Sequence, residues 1–349
     1  MRIVIATVHV PFIRGGAELH AEGLRQALVA AGHEAEIVAV PFKWYPPQRV
    51  LDHMLACRLF DLTEVAGTPV DLMIGLKFPA YLIPHPHKVL WILHQHRTAY
   101  ELWDHPSLSD LIYYPDGLVV RDAIRQADRN LIAEAKAVYA NSKNVARRLK
   151  EFCGISAQPL YHPPPHAEKF YTAPAEDYFL FPSRICIPKR QELVIEALGK
   201  TRNPVRVRFV GAPDRPGYTD ELKSLARRLK VADRLEWLEN LSEDELIDQY
   251  ARCLGVVYPP IDEDYGYVTL EAMLASKPVI TCADSGGPLE FVRDKETGAV
   301  AEPNESAIAA ALDTLWENRE SARRWGEAGF AHYKQINPSW TQVVKQLTT

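Results

Sequence analysis

The chain contains few cysteines, and none of them stands in a metal-binding pattern. Its 349 residues include five cysteines and no C-x-x-C pair. They are Cys57, Cys153, Cys186, Cys253 and Cys282. Scattered cysteines argue against a disulfide scaffold or a zinc site and are typical of proteins in a reducing cytoplasm. No residue of the sequence requires a divalent metal, and we expect neither a bound metal nor another cofactor.

An excess of positive charge and long apolar runs are also absent from the sequence. The formal net charge is -5, which provides no electrostatic support for a nucleic-acid partner. No apolar run reaches the ~18 residues of a membrane span. The stretch MRIVIATVHV lacks the length and cleavage site of a signal peptide and instead resembles a first strand. We predict a cytoplasmic protein without a nucleic-acid partner, and peripheral membrane contact stays open.

The short motifs of several other enzyme classes are missing. The sequence contains no G-x-S-x-G of a hydrolase and no G-x-x-x-x-G-K-[ST] of a P-loop. The first strand is not followed by G-x-G-x-x-G, so support for a dinucleotide site is weak.

Apolar strands alternate with amphipathic helices along most of the chain. Apolar residues make up 47% of the sequence, and its length predicts two domains. The repeated strand–helix units favour parallel sheets in both. We expect strands at 2–8, 34–40, 70–76, 88–93, 138–140, 178–181, 205–210, 235–238, 256–258, 279–281 and 298–300. We expect helices at 17–31, 118–137, 145–152, 192–198, 246–253, 305–318 and 319–333. Ser242 with Glu245 predicts a capping box before the helix at 246–253.

A proline-rich stretch interrupts this pattern and marks the domain boundary. Pro163 to Pro165 and the sequence TAPAE at 172–176 resemble a linker. We predict an N-terminal domain over 1–165, a linker over 166–176 and a C-terminal domain over 177–335. We predict a last helix at 336–349, and whether it packs back on the first domain stays open.

Two acidic residues bracket the loop between the predicted strands 256–258 and 279–281. Glu263 lies on the loop, and Glu271 lies in the first turns of the following helix. Ligands bind at the carboxyl ends of parallel strands, and helix starts favour anions. The acids either cap the helix or hold a polyol while backbone N–H groups hold phosphate.

Cations and paired glycines follow two other predicted strands. Arg184 and Lys189 come directly after strand 178–181 and suit a diphosphate, although a solvated basic loop would look the same. Gly15 and Gly16 begin the first predicted helix. Paired glycines allow a close approach to phosphate, or they form a plain tight turn.

A group of polar residues follows strand 88–93. His94 could accept a hydrogen bond from a sugar hydroxyl or act as a mild base. The spacing of His94 and His96 puts both on one face of a strand, yet no further ligand completes a metal site. Arg97 is the one faint candidate for a basic acceptor pocket.

Four segments resemble motifs of the retaining glycosyltransferases of family 4. Residues 263–273 resemble E-x-F-G-x-x-x-x-E-A, and residues 183–189 resemble G-R-L-x-x-x-K. Residues 15–18 resemble the N-terminal G-G-x-E, and His94 falls where the family has a strand-end histidine. The matches span nearly the whole chain in order. Ser183 replaces the usual glycine, and Tyr265 replaces the usual phenylalanine.

The resemblance implies an α/β protein with the GT-B fold, in which two Rossmann-like parallel-sheet domains face each other across a cleft. It implies that Glu271 holds the ribose of a nucleotide-sugar and that Glu263 contacts the donor sugar. Arg184 and Lys189 are expected to neutralise the diphosphate.

Most of the remaining site residues are also assigned by the resemblance. The donor site is expected to include Gly15 and the Gly16 N–H, together with the backbone of Gly266, Tyr267 and Val268. The expected catalytic residues are His94, Arg184, Lys189 and Glu263. His96 and Arg97 have no counterpart in the resemblance, and we expect them to contact the acceptor from their places directly after His94.

The implied function is retaining hexosyl transfer from a UDP- or GDP-sugar to a hydroxyl of a glycan or lipid-linked acceptor, in bacterial surface polysaccharide or glycoconjugate synthesis. Arg147, Arg148 and Lys150 form a candidate basic surface for the inner face of a membrane, or a solvated helix face. Three alternatives stay open: a nucleotide-sugar epimerase on the same frame, a phospho-sugar-acceptor synthase and a silent nucleotide-sugar-binding subunit.

Overall fold

The computed structural model describes residues 1–12 and 15–349, and contacts divide the chain into two units. The first comprises Met1–Pro165 with Pro338–Thr349, and the second comprises His166–Asn337. The segment 166–176 lies in the second unit, where the Ala173 amide donates to the Ala251 carbonyl at 3.0 Å.

The first unit is built on a parallel six-stranded sheet. Its strand order is β2-β1-β5-β6-β7-β8, with a separate antiparallel pair β3-β4. The strands are β1 Arg2–His9, β2 Glu34–Pro41, β3 Glu64–Val65, β4 Thr68–Pro69, β5 Leu72–Lys77, β6 Lys88–His94, β7 Ala137–Ala140 and β8 Gln158–Pro159. The central strands β1, β5 and β6 are buried nearly throughout, as expected for a sheet covered on both faces.

Four helices of the first unit accompany this sheet. They are α1 Gly16–Ala30, α2 Gln48–Leu59, α3 Gly117–Leu131 and α4 Lys143–Cys153. The Ser142 hydroxyl accepts the Val145 amide at 3.0 Å and so begins α4. The predicted helix 118–137 is too long. Beyond α3 the chain forms a short 3-10 turn, and the Lys136 amide already donates to the Lys88 carbonyl at the edge of β6.

The second unit contains another parallel six-stranded sheet, in the order β11-β10-β9-β12-β13-β14. Its strands are β9 Phe179–Pro182, β10 Val207–Val210, β11 Leu235–Leu238, β12 Gly255–Val257, β13 Val279–Cys282 and β14 Gly298–Ala301. Phe179, Phe181 and Phe209 fill the core beside this sheet. The prediction of an α/β protein with two parallel-sheet domains is confirmed.

The helices of the second unit lie between and after these strands. They are α5 Gln191–Leu198, α6 Tyr218–Arg228, α7 Glu243–Arg252, α8 Tyr267–Leu274, α9 Glu305–Glu317 and α10 Arg319–Ile336. The capping box predicted from Ser242 and Glu245 is present at the start of α7.

The last helix, α11 Trp340–Leu347, belongs to the first unit and packs against α1. Gly23 makes room for it, because a Cβ atom at that position would lie 2.6 Å from the Trp340 ring.

Candidate functional site

The candidate site of the second unit lies where the loops after three neighbouring strands meet. Strands β9, β12 and β13 are adjacent in the sheet. The Ile261 amide donates to the Pro188 carbonyl at 2.8 Å, which joins the loops after β12 and β9. The Glu263 amide donates to the Ser285 carbonyl at 2.9 Å, and the Gly287 amide returns a bond to the Glu263 carbonyl. These bonds fix the loop that carries Glu263 against the loops after β9 and β13.

Gly266 turns this loop into helix α8. Its φ angle is +84°, in the left-handed region, and a Cβ atom there would lie 3.2 Å from Pro288 Cγ. Glycine therefore suits this position both conformationally and sterically. Tyr267 and Val268 form the first turn of α8, where backbone N–H groups have no acceptor within the helix. These are the backbone groups expected to contact the donor.

Lys189 and Glu263 form an ion pair at the centre of the site. The Lys189 ammonium also donates to the Tyr258 hydroxyl at 2.8 Å and lies 5.2 Å from the centre of that ring. Burial alone would lower the pKa of Lys189, but the charge of Glu263 and the Tyr258 hydroxyl outweigh it and raise the pKa. Lys189 is consequently a fixed cation at this edge of the sheet.

Arg184 lies on the segment after β9 with its side chain exposed. Within residues 1–12 and 15–349 its guanidinium makes no hydrogen bond and no ion pair. The backbone of this segment is held by Gln191, which is fully buried at the start of α5. The Gln191 amide donates to the Arg184 carbonyl at 2.9 Å, and its oxygen accepts the Cys186 amide at 3.3 Å. Gln191 was not predicted to belong to the site. The one feature of the sequence that could have indicated it is its place just after Lys189 and Arg190.

Glu271 projects from the middle of α8 towards α7. Its carboxylate accepts a hydrogen bond from the fully buried Tyr250 hydroxyl at 2.5 Å. Burial raises the pKa of Glu271 to about 7, and the hydrogen bond from Tyr250 offsets part of that rise. Near neutral pH this carboxyl group is therefore protonated in about half of the molecules. The sequence placed Tyr250 on a predicted helix but did not indicate that it contacts Glu271.

The paired glycines lie at the start of α1 in the first unit. Gly15 is the residue before the helix, and its amide donates to the Glu18 carboxylate at 2.7 Å. Gly16 is the first helical residue, so its N–H group lies at the positive end of the helix dipole.

The histidines after β6 are arranged differently from the prediction. His94 is the last residue of β6, and its Nδ1 lies 2.7 Å from the Gln95 carbonyl oxygen. His96 lies beyond the strand, so the prediction that both share one strand face is wrong. Its ring packs 5.4 Å from Phe78, and burial lowers the pKa of His96 to about 4. His96 is therefore neutral at physiological pH.

The two basic features predicted for the first unit are largely paired with acids. Arg97 Nε donates to the Glu101 carboxylate at 2.6 Å. Arg147 pairs with Glu151 at 2.8 Å. Arg148 is buried and lies 3.3 Å from Glu101, so the prediction that it forms part of an exposed basic surface is wrong.

Among residues 1–12 and 15–349, no three His, Cys, Asp or Glu side chains come together in a metal-binding group. In the same residues, no helix combines the length and the apolar character needed to cross a membrane.

A family model covers almost all of the second unit. Residues 166–332 match the model described as Glycosyl transferases group 1. The second unit thus resembles the domain described by this model, and the match spans just under half of the chain. Within the second unit, Lys189 pairs with Glu263 on the loop that leads into α8. The other predicted site residues, Gly15, Gly16, His94, His96 and Arg97, lie in the first unit.

Two curated relatives resemble larger parts of the chain. D-inositol 3-phosphate glycosyltransferase of Nocardia farcinica is 30% identical over 242 residues, which are 63% of this chain and 53% of that protein. This chain thus spans about half of that relative's length. O-antigen chain mannosyltransferase C of Escherichia coli is 23% identical over 96% of this chain and 94% of that protein.

Solved structures resemble the whole chain. Sucrose-phosphate synthase from Thermosynechococcus elongatus has a TM-score of 0.78 at 16% identity, covering 100% of this chain and 98% of that one. The Anabaena HepE protein in complex with UDP-glucose has a TM-score of 0.73 at 17% identity, with the same coverage. At such low identity the likeness concerns the fold, which is the GT-B fold predicted from the sequence.

Proposed function

We propose that the protein is a retaining hexosyltransferase. It moves a sugar from a UDP- or GDP-sugar to a hydroxyl group of a glycan or lipid-linked acceptor, in polysaccharide or glycoconjugate synthesis. The observation that carries the proposal is the Lys189–Glu263 ion pair, which joins the segment after β9 that also carries Arg184 to the loop that leads into α8 and Glu271. This arrangement offers cations and N–H groups to a diphosphate and carboxylates to sugar hydroxyls.

The cations match the charge that develops during transfer. The bond between the sugar C1 and the phosphate oxygen breaks, and negative charge grows on the departing diphosphate. Arg184, whose guanidinium has no partner in the described part of the chain, provides two parallel N–H groups for it. Lys189 provides a point charge close by. Removal of one such group typically costs ~10²–10³ in rate.

The same arrangement gives Glu263 a role that depends on the donor. Its carboxylate neutralises Lys189 when no donor is bound. A diphosphate beside Lys189 competes for the ammonium and leaves Glu263 able to accept hydrogen bonds from the donor sugar. The acceptor hydroxyl then attacks C1 from the face that the phosphate leaves, and its proton passes to that phosphate. No described residue makes a metal ion necessary for these steps.

The activities for which the relatives are named support the substrate classes. One structural neighbour was solved with UDP-glucose, and one relative is named as an O-antigen mannosyltransferase. These names favour a nucleotide-hexose as donor and a polysaccharide as product. In the first unit, His94 is proposed to contact the reacting sugar, and His96 and Arg97 are proposed to contact the acceptor.

Transfer to a phosphorylated sugar is a second candidate function. It is favoured by the names of two similar proteins, a sucrose-phosphate synthase and an inositol 3-phosphate glycosyltransferase. Arg97 was the basic residue predicted for such an acceptor, but its pairing with Glu101 weakens this assignment. A nucleotide-sugar epimerase would use the same donor contacts, but its product would stay attached to the nucleotide.

The test measures nucleoside diphosphate release from UDP-glucose and GDP-mannose, with products identified by mass spectrometry. Arg184→Ala and Lys189→Ala are each expected to slow release by ~10²-fold or more. Arg206→Ala is the matched control. Arg206 is exposed like Arg184, but it comes directly before β10 and so lies at the amino ends of the strands, whereas Arg184 lies at their carboxyl ends. Near wild-type release by both site variants would refute the proposed function. A sugar that changes while still bound to its nucleotide would favour the epimerase.

A further inference from the structure

A buried carboxylate in the first unit has no role in the proposed chemistry. Asp128 of α3 is fully buried. It accepts a hydrogen bond from the Tyr81 hydroxyl at 2.8 Å and another from the Tyr100 hydroxyl at 2.8 Å. The Gln95 amide donates a third, at 3.4 Å. A buried carboxylate is costly unless it is hydrogen-bonded, so these donors are needed for its burial.

Two of the three donors bracket a functional segment. Gln95 comes directly after β6, and Tyr100 ends the short 3-10 helix that follows. Between them lie His96 and Arg97, and His94 comes immediately before Gln95. We call Gln95 to Trp103 the 95–103 loop. The carboxylate of Asp128 thus ties together both ends of the part of this loop that carries the proposed acceptor residues.

Helix α3 contacts the same loop at two further positions. Arg121 Nε donates to the Ala99 carbonyl at 3.2 Å, and Arg125 Nε donates to the same oxygen at 3.1 Å. The Arg121 guanidinium also lies 4.1 Å from the centre of the Trp103 ring. Positions 121, 125 and 128 are spaced by four and three residues, so they share one face of the helix. One helix face therefore contacts the 95–103 loop along its length.

We propose that Asp128 is a positioning residue for sugar transfer. By holding Gln95 and Tyr100, it sets the conformation of the 95–103 loop and thereby the places of His94, His96 and Arg97. This inference rests on the proposed function for the role of those three residues. The bond from the Tyr100 hydroxyl is the short one, at 2.8 Å, and the bond from the Gln95 amide is longer, at 3.4 Å, so Tyr100 contributes most to this task. A catalytic group displaced by ~1 Å can lose roughly 10²-fold in rate.

A matched pair of variants separates positioning from simple stabilisation. Tyr100→Phe and Tyr81→Phe each remove one hydroxyl group from the same carboxylate, and each retains a buried ring. Only Tyr100 belongs to the 95–103 loop, because Tyr81 lies in a different 3-10 helix, Ala80–Leu82. The two variants should lose similar amounts of thermal stability.

The expected difference lies in turnover and in loop order. With UDP-glucose or GDP-mannose as donor, Tyr100→Phe should lower kcat for nucleoside diphosphate release by about tenfold or more, and Tyr81→Phe by less than about threefold. Donor Kd should stay within about twofold in both, because the proposed diphosphate and ribose contacts of Arg184, Lys189 and Glu271 lie in the second unit. Amide hydrogen exchange in the 95–103 loop should accelerate in Tyr100→Phe alone.

Equal rate losses in the two tyrosine variants, or unchanged exchange in the loop of Tyr100→Phe, would overturn the proposal. If Tyr100→Phe does not fold, Gln95→Met replaces it, since methionine conserves volume and removes the other loop donor. A wild-type protein that consumes no nucleotide-sugar would refute the proposed function, and hydrogen exchange would then decide the positioning role by itself.

Discussion

The ionisation of Glu271 predicts that donor affinity depends on pH. A ribose diol donates hydrogen bonds to a carboxylate, so the ionised form of Glu271 is the form that binds. Its pKa in the free protein is about 7 because of burial. About one tenth of the molecules are ionised at pH 6 and about nine tenths at pH 8, so affinity should rise nearly tenfold between them, or about 1.4 kcal/mol.

The assay is isothermal titration calorimetry with UDP-glucose or GDP-mannose at several pH values. A nucleotide-sugar is preferred to the free nucleoside diphosphate, because its phosphates carry no terminal ionisation near neutral pH. Binding near pH 6.5 should also release a proton, which is measured by comparing buffers of different ionisation enthalpy. The sign follows from the ligand favouring the ionised carboxylate, which lowers the pKa of Glu271 in the complex.

Two variants test the assignment to Glu271. Glu271→Gln should remove both the pH dependence and the proton release. Tyr250→Phe removes a hydrogen bond that lowers the pKa of Glu271, so the midpoint of the pH dependence should move upwards. A wild-type affinity that is flat from pH 6 to 8, or an unchanged slope in Glu271→Gln, would refute the reasoning.

Two further predictions concern the stability of the site. Lys189→Met leaves the carboxylate of Glu263 without its ammonium and should lower the free energy of unfolding by about 1–3 kcal/mol in urea titrations. Adding Glu263→Gln should recover part of that loss, and a purely additive double variant would contradict the pairing. Gly266→Ala should cost about 1–3 kcal/mol, because its φ is +84° and Pro288 lies close to the new Cβ, and it should weaken nucleotide-sugar binding. Gly32→Ala is the control, since Gly32 has a φ of +85° but no neighbour within 4 Å; equal losses of stability and binding would contradict the argument.

Local features of the fold were predictable because they depend on neighbours in the chain. The buried strands 2–8 and 88–93 and the capping box at Ser242 were recognised from apolar runs and cap residues. Helix α2 was missed, although its buried residues Val50 and Cys57 and the half-buried Met54 share one helix face. The end of α3 was misplaced because sheet bonding at Lys136 competes with the helix there.

The interactions within the candidate site could not be predicted from the sequence. Arg184, Lys189, Glu263 and Glu271 were proposed as site residues from their places after strands and from a family motif. The partners were not, because the Lys189–Glu263 pair joins residues 74 positions apart, and Tyr250 reaches Glu271 across 21. Such contacts depend on which loops the sheet order brings together.

The sequence by itself determined the alternation of strands and helices, the residue types at the strand ends and the glycine that begins α8. These follow from periodicity, cap chemistry and backbone conformation, which act within a few residues. The tertiary structure decided that Lys189 is neutralised by Glu263 and that Glu271 is buried enough to titrate near pH 7. It also decided that Asp128 accepts hydrogen bonds from both Gln95 and Tyr100. Burial and charge pairing act between elements distant in the chain, so they exist only once the sheets have formed.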